Sequence, residues 1–164
     1  MQENPQTNQF VTFKIENEIY AVDVFKVREI LEVPDITRVP GMPPMIRGVI
    51  NIRGSVVPVL DMKMKFGLEQ TEETQDTAVI VTEITNADGI VQIGIIVDAA
   101  REVITLEAED FEEPPRLGIF IDNKYLSGMG KVNEEFIIIL NIDKILSEDE
   151  ISQVAISGTP AKEA

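Results

Sequence analysis

What most limits the fold of this chain is one recurring pattern: short runs of Val, Ile, Phe and Thr, each cut off within a few residues by glycine, proline or an Asn/Asp-containing turn. Such runs are short for buried helices, and several carry the two-residue alternation of half-buried strands. F-V-T-F-K-I (10–15) and E-I-Y-A-V-D (18–23) flank Glu16-Asn17 and predict a hairpin. V-R-E-I-L-E-V (27–33) alternates, placing Val27, Glu29, Leu31 and Val33 on one side and Arg28, Ile30 and Glu32 on the other. T-A-V-I-V-T-E-I-T (77–85) and I-V-Q-I-G-I-I-V-D (90–98) meet across Asn86-Ala87-Asp88-Gly89, a strong hairpin signal. E-V-I-T-L (102–106) and two or three later strands, the last F-I-I-I-L (136–140), complete the set. Many short strands with helix only at the margins predict a mainly β fold of one or two small barrels.

The marginal helices have their own signals. Asp61 is placed to cap M-K-M-K-F, with Gly67 as its stop. Ser147 to Glu150 forms a capping-box pattern opening a short helix with Ile151, Val154 and Ala155 on one face. At 164 residues the chain is expected to be a single domain over 10–157, with flexible tails at 1–9 and 158–164.

Charge narrows the partners. With 29 acidic and 14 basic residues the net charge is −15, which repels nucleic-acid phosphates. Seven of the basic residues lie between Lys26 and Lys65, against four acids there, so a locally basic docking face suited to an acidic partner is expected. The apolar runs are far too short to span a bilayer, and the polar start lacks the marks of a secretory signal. The absence of cysteine suits a reducing compartment. A soluble cytoplasmic protein without membrane insertion follows as the expectation.

Catalysis has little to work with. The chain has no histidine and no cysteine, which removes imidazole-assisted nucleophiles, thiolate sites and imidazole zinc ligands. S-G-M-G-K-V (127–132) resembles a phosphate loop only superficially. Tyr125 stands where the first glycine belongs and Val132 where Ser or Thr should follow the lysine, so it reads as a glycine-bearing strand. The carboxylates cluster in loops, as solvated surface does, and Asn86, Asp88 and Gly89 make only a fragment of a calcium loop. No enzyme, metal or cofactor is expected. A ligand- or oligosaccharide-binding barrel would need stacking aromatics, yet there is no tryptophan and only two tyrosines.

G-V-I-N-I-R-G-S-V-V-P-V-L-D (48–61) holds the most informative mismatch: Asn51 and Arg53 interrupt an otherwise aliphatic stretch. Alternation puts Ile46, Ile50 and Ile52 toward a core and Arg47, Val49, Asn51 and Arg53 on the opposite face. Gly48 and Gly54 would admit another backbone or helix, and Pro58, unable to donate to a ladder, suggests an edge strand.

The stretch I-T-R-V-P-G-M-P-P-M-I-R-G-V-I-N-I-R-G-S-V-V-P-V-L-D-M-K-M-K-F-G-L (36–68) closely resembles the CheW family of bacterial chemotaxis coupling proteins. The family's form is a Val-Pro, then Ile-x-Gly-Val-Ile-Asn-Leu-Arg-Gly, Val-x-Pro-Val-x-Asp and Phe-Gly-Leu. The likeness extends to Y-A-V-D-V-F-K-V-R-E-I (20–30), I-G-I-I-V-D-A-A-R-E-V (93–103) and F-I-I-I-L-N-I-D-K-I-L (136–146), nearly the whole chain. Ala100 departs from it, where a larger aliphatic residue is common. The resemblance implies two intertwined five-stranded SH3-like β-barrels sharing a hydrophobic core. It also implies a non-enzymatic adaptor, monomeric when free, that bridges the cytoplasmic tip of chemoreceptors to the regulatory domain of the histidine kinase CheA. Residue by residue, it assigns partner binding to Val27, Glu29, Arg47, Gly48, Asn51, Arg53 and Gly54. A regulator of the same fold serving a non-chemotaxis kinase array stands beside that reading, and the residues do not separate the two.

Overall fold

The computed structural model describes residues 8–86, 89–112 and 125–146. Strands β1 (Gln9–Ile15) and β2 (Glu18–Asp23) form the expected hairpin. They share a six-stranded sheet with β8 (Ala99–Thr105), β9 (Phe111–Glu112), β10 (Leu126–Val132) and β11 (Glu135–Leu140), ordered β8-β1-β2-β11-β10-β9. Strands β3 (Val27–Glu32), β4 (Ile46–Ile52), β5 (Ser55–Asp61), β6 (Ala78–Asn86) and β7 (Gly89–Val97) form a five-stranded sheet ordered β3-β6-β7-β5-β4. The chain thus begins in the first sheet, builds the whole second sheet and returns, so the two halves are intertwined. The mainly β prediction holds.

Apolar packing follows this arrangement. Phe10, Ile19, Ala21, Leu106, Ile137 and Ile139 cluster within the six-stranded sheet and its connections. Ile50, Val57, Val59, Val79, Val81 and Ile96 cluster within the five-stranded one. A third and largest cluster takes residues from both, among them Phe13, Tyr20 and Ile138 from one sheet and Leu60, Ile80 and Ile93 from the other. Each sheet curls around its own interior and the two bury a common face, the geometry of paired small barrels. Past β3, Thr37 donates to and accepts from the backbone of Val49 at 2.9 and 2.8 Å, so the loop after one edge strand is bonded to the other edge strand.

Local readings fared unevenly. The helix α1 (Met62–Lys65) is capped by Asp61 as expected, and Gly67 ends it with φ +87°. S-G-M-G-K-V is indeed strand, lying in β10. β8 starts at Ala99, three residues before the run that predicted it, and β1 takes up Gln9, the last residue of the expected N-terminal tail. Pro58 is a correction, because β5 lies between β7 and β4 and is no edge. Its missing N–H is harmless for a local reason. Opposite Pro58 stands Val49, whose backbone bonds turn outward to Thr37, and the parallel pairing with β7 begins only at Val59. The capping box at 147–150 and the helix after it lie outside the described residues, as does most of each tail.

Candidate functional site

The site grows from the tight link between β4 and β5. Ile52 pairs with Ser55, leaving Arg53 and Gly54 as a two-residue loop with φ of +49° and +88°. Two successive positive φ values mark the type I′ turn that a right-twisted hairpin favours. Asn51 reinforces it, its Oδ1 accepting the Gly54 N–H at 3.1 Å. The turn throws the Arg53 side chain outward, 72% exposed, with Nη2 donating to Glu29 Oε2 at 2.7 Å. Glu29 belongs to β3, at the opposite edge of the sheet from β4, so this pair joins the two edges where the sheet curls round. Glu29, Asn51, Arg53 and Gly54 therefore form one polar tip. No atom would come within 4 Å of a Cβ added at Gly54, so the backbone beside the guanidinium is open.

Three of the predicted residues lie elsewhere. Gly48 is enclosed by its own chain: with φ at +147°, an added Cβ would sit 2.2 Å from the Thr37 carbonyl oxygen. The close approach expected there is intramolecular. Val27 is half-buried against the shared core. Arg47 is turned inward, with Nη1 3.0 Å from Oδ2 of Asp61, a wholly buried carboxylate. Asp61 also accepts from the Thr71 N–H and hydroxyl at 2.9 and 2.8 Å and from the N–H groups of Lys63 and Met64. One carboxylate thus caps α1, anchors the segment after it and neutralises Arg47, which is how a charge survives without water.

β-bulges explain why simple alternation misplaced two side chains. Val27 pairs with Thr82 but Glu29 with Val81, so Arg28 is an extra residue in β3. Ile46 pairs with Leu60 but Gly48 with Val59, so Arg47 is an extra residue in β4. Each bulge reverses the parity of the strand beyond it. Val27 consequently packs on the shared core while Glu29 and Leu31 lie on the face of Val81 and Val79. Ile46 likewise joins the shared core, not the cluster that takes Ile50 and Ile52. Sequence reasoning also passed over Arg28, Glu83, Thr37 and Thr71, which carry no motif.

The expected basic docking face is largely neutralised within the molecule. Lys26 is 2.9 Å from Asp143, Arg28 3.0 Å from Glu83 and Lys63 2.9 Å from Glu16, besides the pairs of Arg47 and Arg53. The hydrogen bond that Lys63 donates to the Glu16 carboxylate is the main cause raising the Lys63 pKa. Among the described residues no group of three or more acidic side chains could hold a metal ion, and no helix is long and apolar enough to cross a membrane.

Fold and tip together define a mainly β, two-sheet module with an exposed polar hairpin turn. The CheW-like domain family model matches residues 9–150. The chemotaxis protein CheW of Klebsiella aerogenes is 34% identical over 146 residues, covering 89% of this chain and 86% of that protein. That of Treponema pallidum is 31% identical, covering 93% and 89%. A crystal structure of the scaffolding protein TtCheW from Thermoanaerobacter tengcongensis superposes with a TM-score of 0.76 at 31% identity, covering 92% of this chain and 94% of that one. This chain belongs to the CheW family.

Proposed function

We propose that this protein is a chemotaxis coupling adaptor that binds the cytoplasmic tip of a chemoreceptor and the regulatory domain of a CheA-type histidine kinase, joining them in a signalling array. It supplies surfaces and turns over no nucleotide, and it is recruited from the cytoplasm to the receptors. Family membership supports the class of function. The observation that carries the site is the Glu29–Arg53 pair on the exposed turn. A guanidinium has five N–H donors in a rigid fork, so Arg53 can keep Glu29 and still reach a carboxylate or the carbonyls at the end of a partner helix. Glu29 and the turn hold the fork in place, which lowers the cost of ordering it on binding.

The test is Arg53→Glu, assayed by parallel pull-downs on a receptor-tip hairpin fragment and a kinase regulatory-domain fragment, with a thermal melt as control. The variant places a second carboxylate beside Glu29 but removes no core contact, so its melt should stay close to wild type, a surface change costing about 0.5 kcal/mol or little more. Receptor binding should fall by roughly 2–5 kcal/mol, with kinase binding less affected. A melt lowered by many degrees with both partners lost would make Arg53 a structural turn residue and remove the proposal's site.

A further inference from the structure

We propose that Asp98 and Asp143 fix the angle between the two sheets, each fastening them at one of the two places where the chain passes from one sheet to the other. The inference concerns the free protein and stands apart from the function proposed above.

The chain crosses between sheets twice, through the 3-10 turn Val24–Lys26 after β2 and at Asp98, the single residue between β7 and β8. At the first crossing, Asp143 follows β11 of the six-stranded sheet, in the 3-10 turn Ile142–Lys144. Its carboxylate accepts the backbone N–H of Thr85 in β6 at 2.8 Å and the Lys26 ammonium at 2.9 and 3.0 Å. β3 ends opposite Thr82, so among the described residues no strand lies on that side of β6 at Thr85, and Asp143 supplies an acceptor there. At the second crossing, the Asp98 N–H donates to the Lys14 carbonyl at 3.0 Å, and the Asp98 carboxylate accepts the Glu16 N–H at 2.6 Å. Glu16, in the β1–β2 turn, accepts from Lys63 of α1 at 2.9 Å. Each aspartate thus gathers groups from both sheets.

The two fastenings stand at opposite ends of the hairpins they join. On β1–β2, Glu16 is at the turn, whereas Val24–Lys26 follows Asp23, which pairs with Phe10 at the far end. On β6–β7, Thr85 pairs with Ile90 near the turn, whereas Asp98 follows Val97, which pairs with Ala78 at the far end. Phe10 to Ile15 alone spans about 17 Å of strand. Burial of the common face is non-directional and leaves one sheet some freedom to turn on the other. Hydrogen bonds to carboxylates weaken steeply with distance and angle, so they select one orientation. One fastening would leave a pivot; two this far apart remove the rotation. Both ion pairs are partly exposed and add little stability by themselves, so what they decide is orientation.

The experiment measures backbone N–H residual dipolar couplings of the full chain in a weakly aligning medium. In wild type, the couplings of both sheets should fit one alignment tensor. In the double variant Asp98→Ala with Asp143→Ala, the couplings within each sheet should still fit that sheet's own geometry. The two sheets should then need separate tensors that differ in axes or magnitude. Asparagine at both positions, which keeps an acceptor oxygen, should restore the single tensor. Should the double alanine variant not fold, Asp98→Ala and Asp143→Ala are read singly, each expected to split the tensors by freeing rotation about the fastening that remains. A single wild-type tensor in the alanine variants would overturn the proposal. So would misfits confined to one sheet, which would make the aspartates local supports of their own turns.

Discussion

Tyr20 shows how much of this molecule's behaviour is decided at single side chains. Its ring stacks on Phe13 at 6.0 Å and on Phe66 at 5.6 Å, tying β1 and β2 to the residue that ends α1. Burial, and after it the negative charges of Glu18 and Glu16, push its phenol from the ordinary 10.0 up to about 12. The folded state therefore keeps this proton after the unfolded state has released its own. Stability from this group is complete below pH 10 and is lost as pH rises from 10 to 12, by about 3 kcal/mol at most. Denaturant melts across that window should show the decline in wild type and a flatter profile in Tyr20→Phe, while phenolate absorbance of Tyr20 in the folded protein should appear only near pH 12. Titration of Tyr20 near 10 in the folded protein would contradict this. Asp61 makes the complementary point: the sequence showed its helix-capping role, but Arg47 and Thr71 come to it from outside the capping pattern.

At the scale of elements, the β4–β5 hairpin holds two glycines that do different work. Both have positive φ, at +147° for Gly48 and +88° for Gly54. An alanine Cβ at Gly54 meets open space, so Gly54→Ala should cost only its conformational strain, about 1 kcal/mol. At Gly48 the same atom would collide with the Thr37 carbonyl and Ile36 Cγ2, in the loop that is bonded to β4. Gly48→Ala should cost at least about 2 kcal/mol more than Gly54→Ala, measured as a shift in urea midpoint at constant slope. Equal costs would mean that the Thr37 contact is looser than its hydrogen bonds imply. The strand character of 48–61 was legible from the sequence because its β-branched runs are local chemistry. The bulges at Arg28 and Arg47 were not, because a bulge is a mismatch between two strands and neither strand alone records it.

For the whole molecule, the shared core makes one cooperative unit of two sheets. Leu60 is wholly buried in that core, opposite Ile46 and in one cluster with Phe13 and Ile138 of the other sheet. Leu60→Ala should destabilise by about 2–5 kcal/mol. It should also lower the amide hydrogen-exchange protection of β2 and of β7 together, since neither sheet keeps a complete interior without the other. Loss of protection confined to β7, with β2 unchanged, would show two independent lobes.

The sequence by itself determined the strand content, the family, the helix at Asp61 and the placing of Asn51 and Arg53 on the side away from Ile50 and Ile52. These follow from short-range chemistry: alternation, turn residues, a cap and an ordered set of motifs. Tertiary structure alone decided that Glu29 and Arg53 would be bonded to each other, that Arg47 would turn inward to Asp61 and that Gly48 would admit the chain's own loop. It also decided that Lys26, Arg28 and Lys63 would find carboxylates within the molecule. Each of these joins segments far apart in the chain. Their meeting depends on strand order and register, which are fixed by the burial of both sheets together and are written in no single stretch.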